Sequence, residues 1–251
     1  MSNTSWQKVG DWYDSIVGDT GSYYHQKIIL PGVLRLLDLK PGDSLIDLAC
    51  GQGVLASHLP KEVEYLGLDA AKSLLQKARS RHPEKRFVFA DLTKPLPIEP
   101  KKSYTHACCI LALQNISEPA LVLKGVAKHM QEGSKLVLVI NHPCFRIPRQ
   151  SHWGQDEQSK LQYRRVNLYM TPQKIPIATH PGKSAHEQKE TISFHFPLSS
   201  YFQFLHESGF VVESLQEWCS DKVSTGKMAS MENRARREFP LFLALKGRLL
   251  S

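Results

Sequence analysis

Five short apolar segments alternate with helical patterns: SLIDLA (44–49), VEYLGLD (63–69), RFVFAD (86–91), HACCILAL (106–113) and KLVLVIN (135–141). This alternation constrains the chain more than any other feature. Each segment is rich in β-branched or aromatic residues and mostly lacks polar–apolar alternation, as strands covered on both faces do. Helical periodicity fills residues 71–81 and 117–130. In the second stretch Leu123, Val126, Ala127 and Met130 share a face, and Gly133 follows as a stop signal. Strands alternating with helices imply right-handed crossovers and a parallel sheet.

The flanks complete the plan. Residues 1–40 read as helical, with Pro31 suited to the first turn of a helix through Val33, Leu34, Leu36 and Leu37. Between His142 and about Glu190 the rhythm breaks into a stretch rich in Pro, Gln, His and Arg. A structureless loop of that length does not suit a compact domain, so 142–190 reads as an inserted cap with some short helices. Regularity returns with TISFHF (191–196). A helix follows in which Leu198, Tyr201, Phe202 and Leu205 share a face, with Gly209 ending it. FVVESLQEW (210–218) and PLFLALKG (240–247) read as two last strands. The expected architecture is therefore one α/β domain over residues 1–251. Its sheet is seven-stranded and mostly parallel, with helices on both faces and a terminal antiparallel hairpin, and a cap is inserted after strand 5.

Composition narrows the setting. No apolar run approaches the roughly 18 residues that mark a membrane helix, and the N-terminus shows no secretory pattern, so no membrane partner is expected. The five cysteines are Cys50, Cys108, Cys109, Cys144 and Cys219. Their odd count without CxxC spacing argues against a disulfide framework and against a zinc site; no metal is expected, and a cytoplasmic location is. The net charge of +8 is spread thinly. It lacks the clustered Lys/Arg with interleaved aromatics of a nucleic-acid footprint.

Chemistry concentrates at three strand ends. Asp47-Leu48-Ala49-Cys50-Gly51-Gln52-Gly53 closes the first strand; its glycines let a ligand approach the backbone. A helix through Val54, Leu55 and Leu59 is expected next, with free N–H groups at its start for a ligand carboxylate. Asp69 ends the second strand, where an acid can accept both hydroxyls of a ribose. Asp91 and Leu92 follow the third, a carboxylate for an amine beside an apolar side chain. All three positions lie at the carboxyl ends of adjacent strands, where open α/β sheets bind ligands.

DLACGQG, YLGLD, FADL and the ILALQNI segment together resemble the class I S-adenosylmethionine-dependent methyltransferases, over residues 6–141 and again at the last helix and two strands. The resemblance implies S-adenosylmethionine as cofactor and a sheet whose last strand is antiparallel. It implies that Ala49, Gly51 and Gly53 take the methionine part, Asp69 with Ala70 the ribose, and Asp91 with Leu92 the adenine. Leu111 would lie beneath the cofactor. The N-terminal Trp12, Tyr13 and Asp14, then Tyr23, Tyr24 and His25, are similar to a segment that closes over the cofactor in small-molecule members. Residues 1–40 are thus expected to form a cofactor lid to which Tyr13 and Tyr24 contribute.

Topology points to the acceptor side. The insertion 142–190 and the connection 219–239 both leave carboxyl ends of strands and should wall the acceptor pocket. His142, at the end of the fifth strand, and His195, in SFHFPLS where small-molecule members carry a histidine, are the candidate general bases. Arg146, Arg149, Arg164 and Arg165 could bind a substrate carboxylate or phosphate. Phe145, Trp153, Tyr163 and Tyr169 suit either an apolar pocket or a small cap core. An enclosing cap favours a small acceptor, anionic or aromatic, over a polymer. RNA methylation is the runner-up because of the positive charge. Gly51, Gly53 and Ala56 also satisfy G-x-G-x-x-A, so a dinucleotide-dependent oxidoreductase is a rival. Asp47 inside the strand and the Asp91 site weigh against it. A non-catalytic protein that keeps the cofactor fold is a further alternative.

Overall fold

Period-two burial decides the layers of this protein. In a computed structural model describing residues 10–99, 103–178 and 190–250, the chain begins with α1 (Gly10–Val17) and α2 (Leu30–Leu37). The side chains of Asp11 and Tyr13 within α1 fall outside the described residues, as do 1–9 of the expected lid and 179–189 of the expected cap. There follow β1 (Ser44–Leu48), β2 (Glu64–Asp69), α3 (Lys72–Arg81), β3 (Arg86–Phe89), β4 (Tyr104–Ile110), α4 (Pro119–Ala127) and β5 (Met130–Asn141). Two hairpins come next: β6 (Ser151–Asp156) with β7 (Leu161–Val166), and β8 (Gln173–Ala178) with β9 (Glu190–His195). The chain ends with α5 (Leu198–His206), β10 (Phe210–Trp218), α6 (Ala229–Glu238) and β11 (Phe242–Leu249).

The main sheet has seven strands in the order β10-β11-β5-β4-β1-β2-β3. β11 runs antiparallel to both neighbours, and the pairings among β1 to β5 are parallel. Ile46, Ala107, Cys109, Leu136, Leu138, Ile140, Leu243 and Leu245 face α4 and α5 through Leu123, Val126, Tyr201 and Leu205. The alternate residues Leu45, Cys108, Val137, Val139, Phe242 and Ala244 face α2, the turn before it and α3 through Val33, Leu37, Ile29, Leu75 and Ala78. Both faces are covered, which is why the strands read as continuous apolar runs.

Several expectations are corrected. No α-helix follows the glycine turn; Leu55–His58 forms only a 3-10 turn. Gly53 holds φ +83°, and Leu59 before Pro60 is extended, as pre-proline residues are. Too few residues lie between them for a helix to propagate. The insertion carries no helix among its described residues and consists of the two hairpins. Asp156 Oδ1 accepts the N–H groups of Gln158 and Ser159, and Lys160 is left-handed, so the segment turns tightly. Pro176 is tolerated because β8 has a free edge. TISFHF forms β9 and pairs with β8, so the insertion runs beyond its expected end at about Glu190. β5 starts before Gly133, because Met130 already pairs with Tyr104 ahead of a register shift. Phe202 does not share the buried face of Tyr201 and Leu205; it is exposed.

Pro31 does stand in the first turn of α2. The residues before it widen into a π turn, His25–Ile29, where a proline removes a helical hydrogen bond. One residue later the helix touches the sheet's second layer. A Cβ on Gly32 would lie 2.5 Å from two ring carbons of Trp218. Gly32→Ala should therefore destabilise the protein by about 1–3 kcal/mol, the range for overpacking. A urea midpoint equal to the parent's would show that Trp218 moves aside without cost.

Candidate functional site

The turn after β1 is built from left-handed residues: Ala49 at φ +57°, Gly51 at +58° and Gly53 at +83°. Its amides are largely spent inside the protein. Gly51 N–H donates to Asp69 Oδ2 at 2.8 Å, and Gly53 N–H to the Cys50 carbonyl at 3.0 Å. The expected helix start with free donors is thus replaced by a turn held from behind. Asp69 also accepts the Ala71 N–H on Oδ1 at 2.7 Å, so its carboxylate joins the turns after β1 and β2. Burial pushes the Asp69 carboxyl up, opposed by the N–H groups of Ala71, Gly51 and Ala70.

Asp91 forms its own turn after β3. Its Oδ1 accepts the Thr93 N–H at 3.1 Å and the Thr93 hydroxyl at 2.7 Å. Leu92 beside it is buried in the core, so its side chain packs the protein interior. Leu111, just past the end of β4, is left-handed, and its carbonyl accepts Gln114 Nε2 at 2.8 Å.

Beneath the turn lies a residue whose role the sequence did not reveal. Asp47 is wholly buried, with Tyr65 Oη donating to Oδ2 at 2.8 Å and the Cys108 thiol to Oδ1 at 3.5 Å. Burial pushes its carboxyl up to about 7, against the hydrogen bonds from Tyr65 and Cys108. The buried thiols of Cys50 and Cys108 are also pushed up by burial, and that of Cys109 to about 12, so none of the three is a nucleophile at neutral pH.

The N-terminal segment reaches the connection after β10. Tyr23 Oη donates to Asp221 Oδ2 at 3.1 Å, and Tyr24 Oη lies 3.1 Å from Ser220 Oγ. Lys222 stands over both rings. His25 is buried, with Nδ1 2.8 Å from Ser22 Oγ. Asp14 binds Lys77 and Arg81, each at 2.8 Å, which clamps α1 onto α3.

The two candidate bases differ in what they have left to offer. His142 is buried; Nε2 meets Glu217 Oε1 at 2.7 Å and Nδ1 accepts the Cys144 N–H at 3.2 Å. Both ring nitrogens are engaged. Glu217, absent from the sequence reading, lay in a strand with no distinguishing motif. His195 closes β9 and donates Nε2–H to the Tyr169 carbonyl at 2.7 Å. That bond leaves Nδ1 as the unprotonated nitrogen, with no partner among the described residues. Burial holds the imidazole's pKa below its ordinary value, opposed by the Tyr169 bond, so the neutral form prevails at neutral pH. In β9 the polar residues Thr191, Ser193 and His195 are the buried ones, and the strand packs on the Leu113–Asn115 turn after β4. A strand that buries its polar side departs from core patterning, as functional surfaces do.

Tyr169 is the hub of the insertion. Its hydroxyl accepts the Leu198 N–H at 3.0 Å and lies 3.5 Å from Cys144 Sγ. Phe145 and Trp153 both meet Phe239 edge-on, at 5.5 and 5.4 Å, so the insertion and the connection 219–239 pack together. Tyr163 is half exposed. Arg149 and Arg165 are exposed, whereas Arg146 and Arg164 are partly buried.

Residues 46–136 match a protein family described as "Methyltransferase domain". The chain is 28% identical over 161 residues to an uncharacterized 37.1 kDa protein in transposon TN4556 of Streptomyces fradiae, covering 56% of this chain and 46% of that protein. It is 22% identical over 139 residues to demethylmenaquinone methyltransferase of Bacillus cereus (strain AH187), covering 52% and 58% respectively. The chain thus spans about half the length of these curated relatives. Its fold resembles an S-adenosylmethionine-dependent methyltransferase from Mesorhizobium loti, with a TM-score of 0.65 at 23% identity, over 87% of this chain and 99% of that one.

The residues fit the cofactor of that fold. Each Asp69 oxygen keeps a second lone pair for a ribose hydroxyl, and Asp91 Oδ2 has no donor among the described residues. Gln52 Oε1 in the turn and Gln114 Oε1 beyond Leu111 are buried acceptors without a partner among the described residues. A ligand ammonium would satisfy acceptors of this kind. Among the described residues, no group of three or more His, Cys, Asp or Glu side chains is arranged to hold a metal, and no helix is long and apolar enough to cross a membrane.

The raised Asp47 carboxyl has a consequence for stability. The folded protein keeps this proton to higher pH than the unfolded chain, so the contribution is full below pH about 4 and is lost as pH rises through about 7. The unfolding free energy of the parent should fall more steeply over that window than that of Asp47→Asn, by up to ~4 kcal/mol at about 1.4 kcal/mol per unit. Parallel pH profiles of the two proteins, by denaturant titration, would show that Asp47 ionises normally.

Proposed function

We propose, on the premise that this chain carries a class I methyltransferase domain, that it transfers a methyl group from S-adenosylmethionine to a small-molecule acceptor. One observation carries the reading: the left-handed turn after β1, Asp69 and Asp91 stand at the carboxyl ends of three adjacent strands. The insertion leaves the same end of β5.

When bound, the cofactor supplies an activated methyl group; the protein's part is binding, alignment and water exclusion. Ala49, Gly51 and Gly53 hold the methionine part, with Gln52 and Gln114 as acceptors for its ammonium. Asp69 and Ala70 hold the ribose. Asp91 takes the adenine amine, and Leu92 contributes through its backbone, since its side chain is in the core. Leu111 supports the cofactor from below. Tyr24 and the rest of the N-terminal segment, Tyr13 included, form the lid, latched to Ser220 and Asp221.

His195 is the base that takes a proton from the acceptor, at Nδ1. Its tautomer is set by the Tyr169 carbonyl. His142, paired with Glu217, positions the wall of the acceptor pocket. The hairpin insertion and the similarity to demethylmenaquinone methyltransferase both support a small acceptor. A cytoplasmic location is supported by the five free cysteines.

Asp69→Ala should weaken S-adenosylhomocysteine binding by roughly 1.5–3 kcal/mol, the range for hydrogen bonds to a charged group. Calorimetry measures this directly. Tight NAD binding with no S-adenosylhomocysteine binding in the parent would overturn the reading. His195→Ala should lower kcat by about 10²–10⁴-fold for an acceptor that must lose a proton, with cofactor affinity kept. Unchanged turnover at saturating cofactor would remove His195 from the chemistry.

A further inference from the structure

Arg146 and Arg164 are the cations of the insertion that the fold draws inward. Arg146 Nη1 donates to Asn141 Oδ1 at 2.8 Å and to the Leu241 carbonyl at 3.4 Å, and its guanidinium stands 5.4 Å from the Phe242 ring centroid. Arg164 donates from Nε to the Phe145 carbonyl and from Nη2 to Ser151 Oγ, both at 2.8 Å, and stands 4.9 Å from the Trp153 ring centroid. Every one of these acceptors is neutral. Among the described residues no carboxylate pairs with either arginine.

The exposed Arg35, Arg79 and Arg165 also donate to neutral acceptors, but the other partly buried arginines have carboxylates. Arg81 has Asp14 and Asp19, Arg236 has Glu232, and Arg248 has Glu213. Glu217, which reaches the same carboxyl end of the sheet, is committed to His142. Drawing a cation even partly out of water without a counter-charge is costly. Two of them feel each other here: burial depresses the Arg146 guanidinium, and the Arg164 charge depresses it further. Burial also depresses Arg164. Arg146 Nε and Nη2, and Arg164 Nη1, remain as donors with no acceptor among the described residues.

Their place in the fold says what they face. Asn141, Phe242 and Trp218 are register partners at the ends of β5, β11 and β10. This is the half of the sheet beyond β4, away from Asp69 and Asp91. Phe145 precedes Arg146 in sequence and accepts the Arg164 Nε–H on its carbonyl; its ring and that of Trp153 both pack on Phe239, an apolar surface beside the charge.

We infer that Arg146 and Arg164 form the recognition site for an oxyanion on the acceptor, so that the substrate is a small molecule bearing a carboxylate or phosphate beside an apolar body. The inference rests on the reading that this face receives a methyl acceptor. A planar fork of N–H donors matches either oxyanion in bidentate fashion. The anion supplies the missing counter-charge, and the aromatic cluster covers the rest of the molecule.

The test uses the full chain with S-adenosylhomocysteine present and three probes: benzoate, inorganic phosphate and uncharged benzamide. Calorimetry reads binding, with intrinsic tryptophan fluorescence, to which all four tryptophans contribute, as a second signal. Benzoate or phosphate should bind saturably, and which of them does so tells carboxylate from phosphate; benzamide should not. Arg146→Met and Arg164→Met should each weaken that binding at least tenfold while S-adenosylhomocysteine affinity stays at the parent's value. Arg146→Lys, which keeps charge without the fork, should fall between. If Arg146→Met does not fold, Arg164→Met decides, because its partners lie within the insertion. The inference is overturned if neither anion saturates in the parent, if benzamide binds as well as benzoate, or if Arg164→Met keeps full anion affinity. A parent that binds an anion but not S-adenosylhomocysteine would sink the methyltransferase reading and leave the oxyanion site standing.

Discussion

The carboxylate of Asp69 is the joint on which the candidate cofactor site depends. One oxygen receives the Gly51 amide from the turn after β1, and the other receives the Ala71 amide from the turn after β2. A carboxylate accepting backbone N–H groups in a buried setting holds two neighbouring loops in one geometry without any ligand. The bond fixes Gly51 between the left-handed Ala49 and Gly53. Such preorganisation lowers the ordering cost of binding. Asp47 supports the turn from the other side, through Tyr65 and Cys108.

The second half of the site is assembled by the insertion. Tyr169 gathers three segments: its hydroxyl meets Cys144 and the first turn of α5, and its carbonyl orients His195. Phe239 binds the insertion to the connection before β11. Each contact joins residues far apart in sequence, so the geometry around His195 is a product of the whole carboxyl-end face. The same packing draws Arg146 and Arg164 inward and leaves Arg149 and Arg165 outside.

Legibility followed local physics. The strands of the main sheet were readable because burial on both faces leaves apolar runs, and α3 because its apolar positions recur at helical spacing. The positions of Asp69 and Asp91 at strand ends were readable because the apolar runs before them stop there. The helix expected after Gly53 failed because Pro60 ends the segment before a helix can propagate. Helices rather than hairpins were expected in the insertion because its strands carry little apolar burial: β6 and β7 bury no residue, β8 buries only Ile175, and in β9 the buried residues are Thr191, Ser193 and His195. A polarity pattern expects the reverse.

The amino-acid sequence by itself determined the seven-stranded sheet, its two covered faces and the three strand ends that carry Gly51, Asp69 and Asp91. Each of these rests on periodicity or on turn chemistry within a few neighbouring residues. Only the tertiary structure decided the rest. It engaged both nitrogens of His142 while leaving Nδ1 of His195 open. It committed Glu217 to His142 and left Arg146 and Arg164 without a carboxylate. Hydrogen-bond partners and counter-charges come from segments distant in the chain, and no local pattern encodes which of several identical side chains will find one.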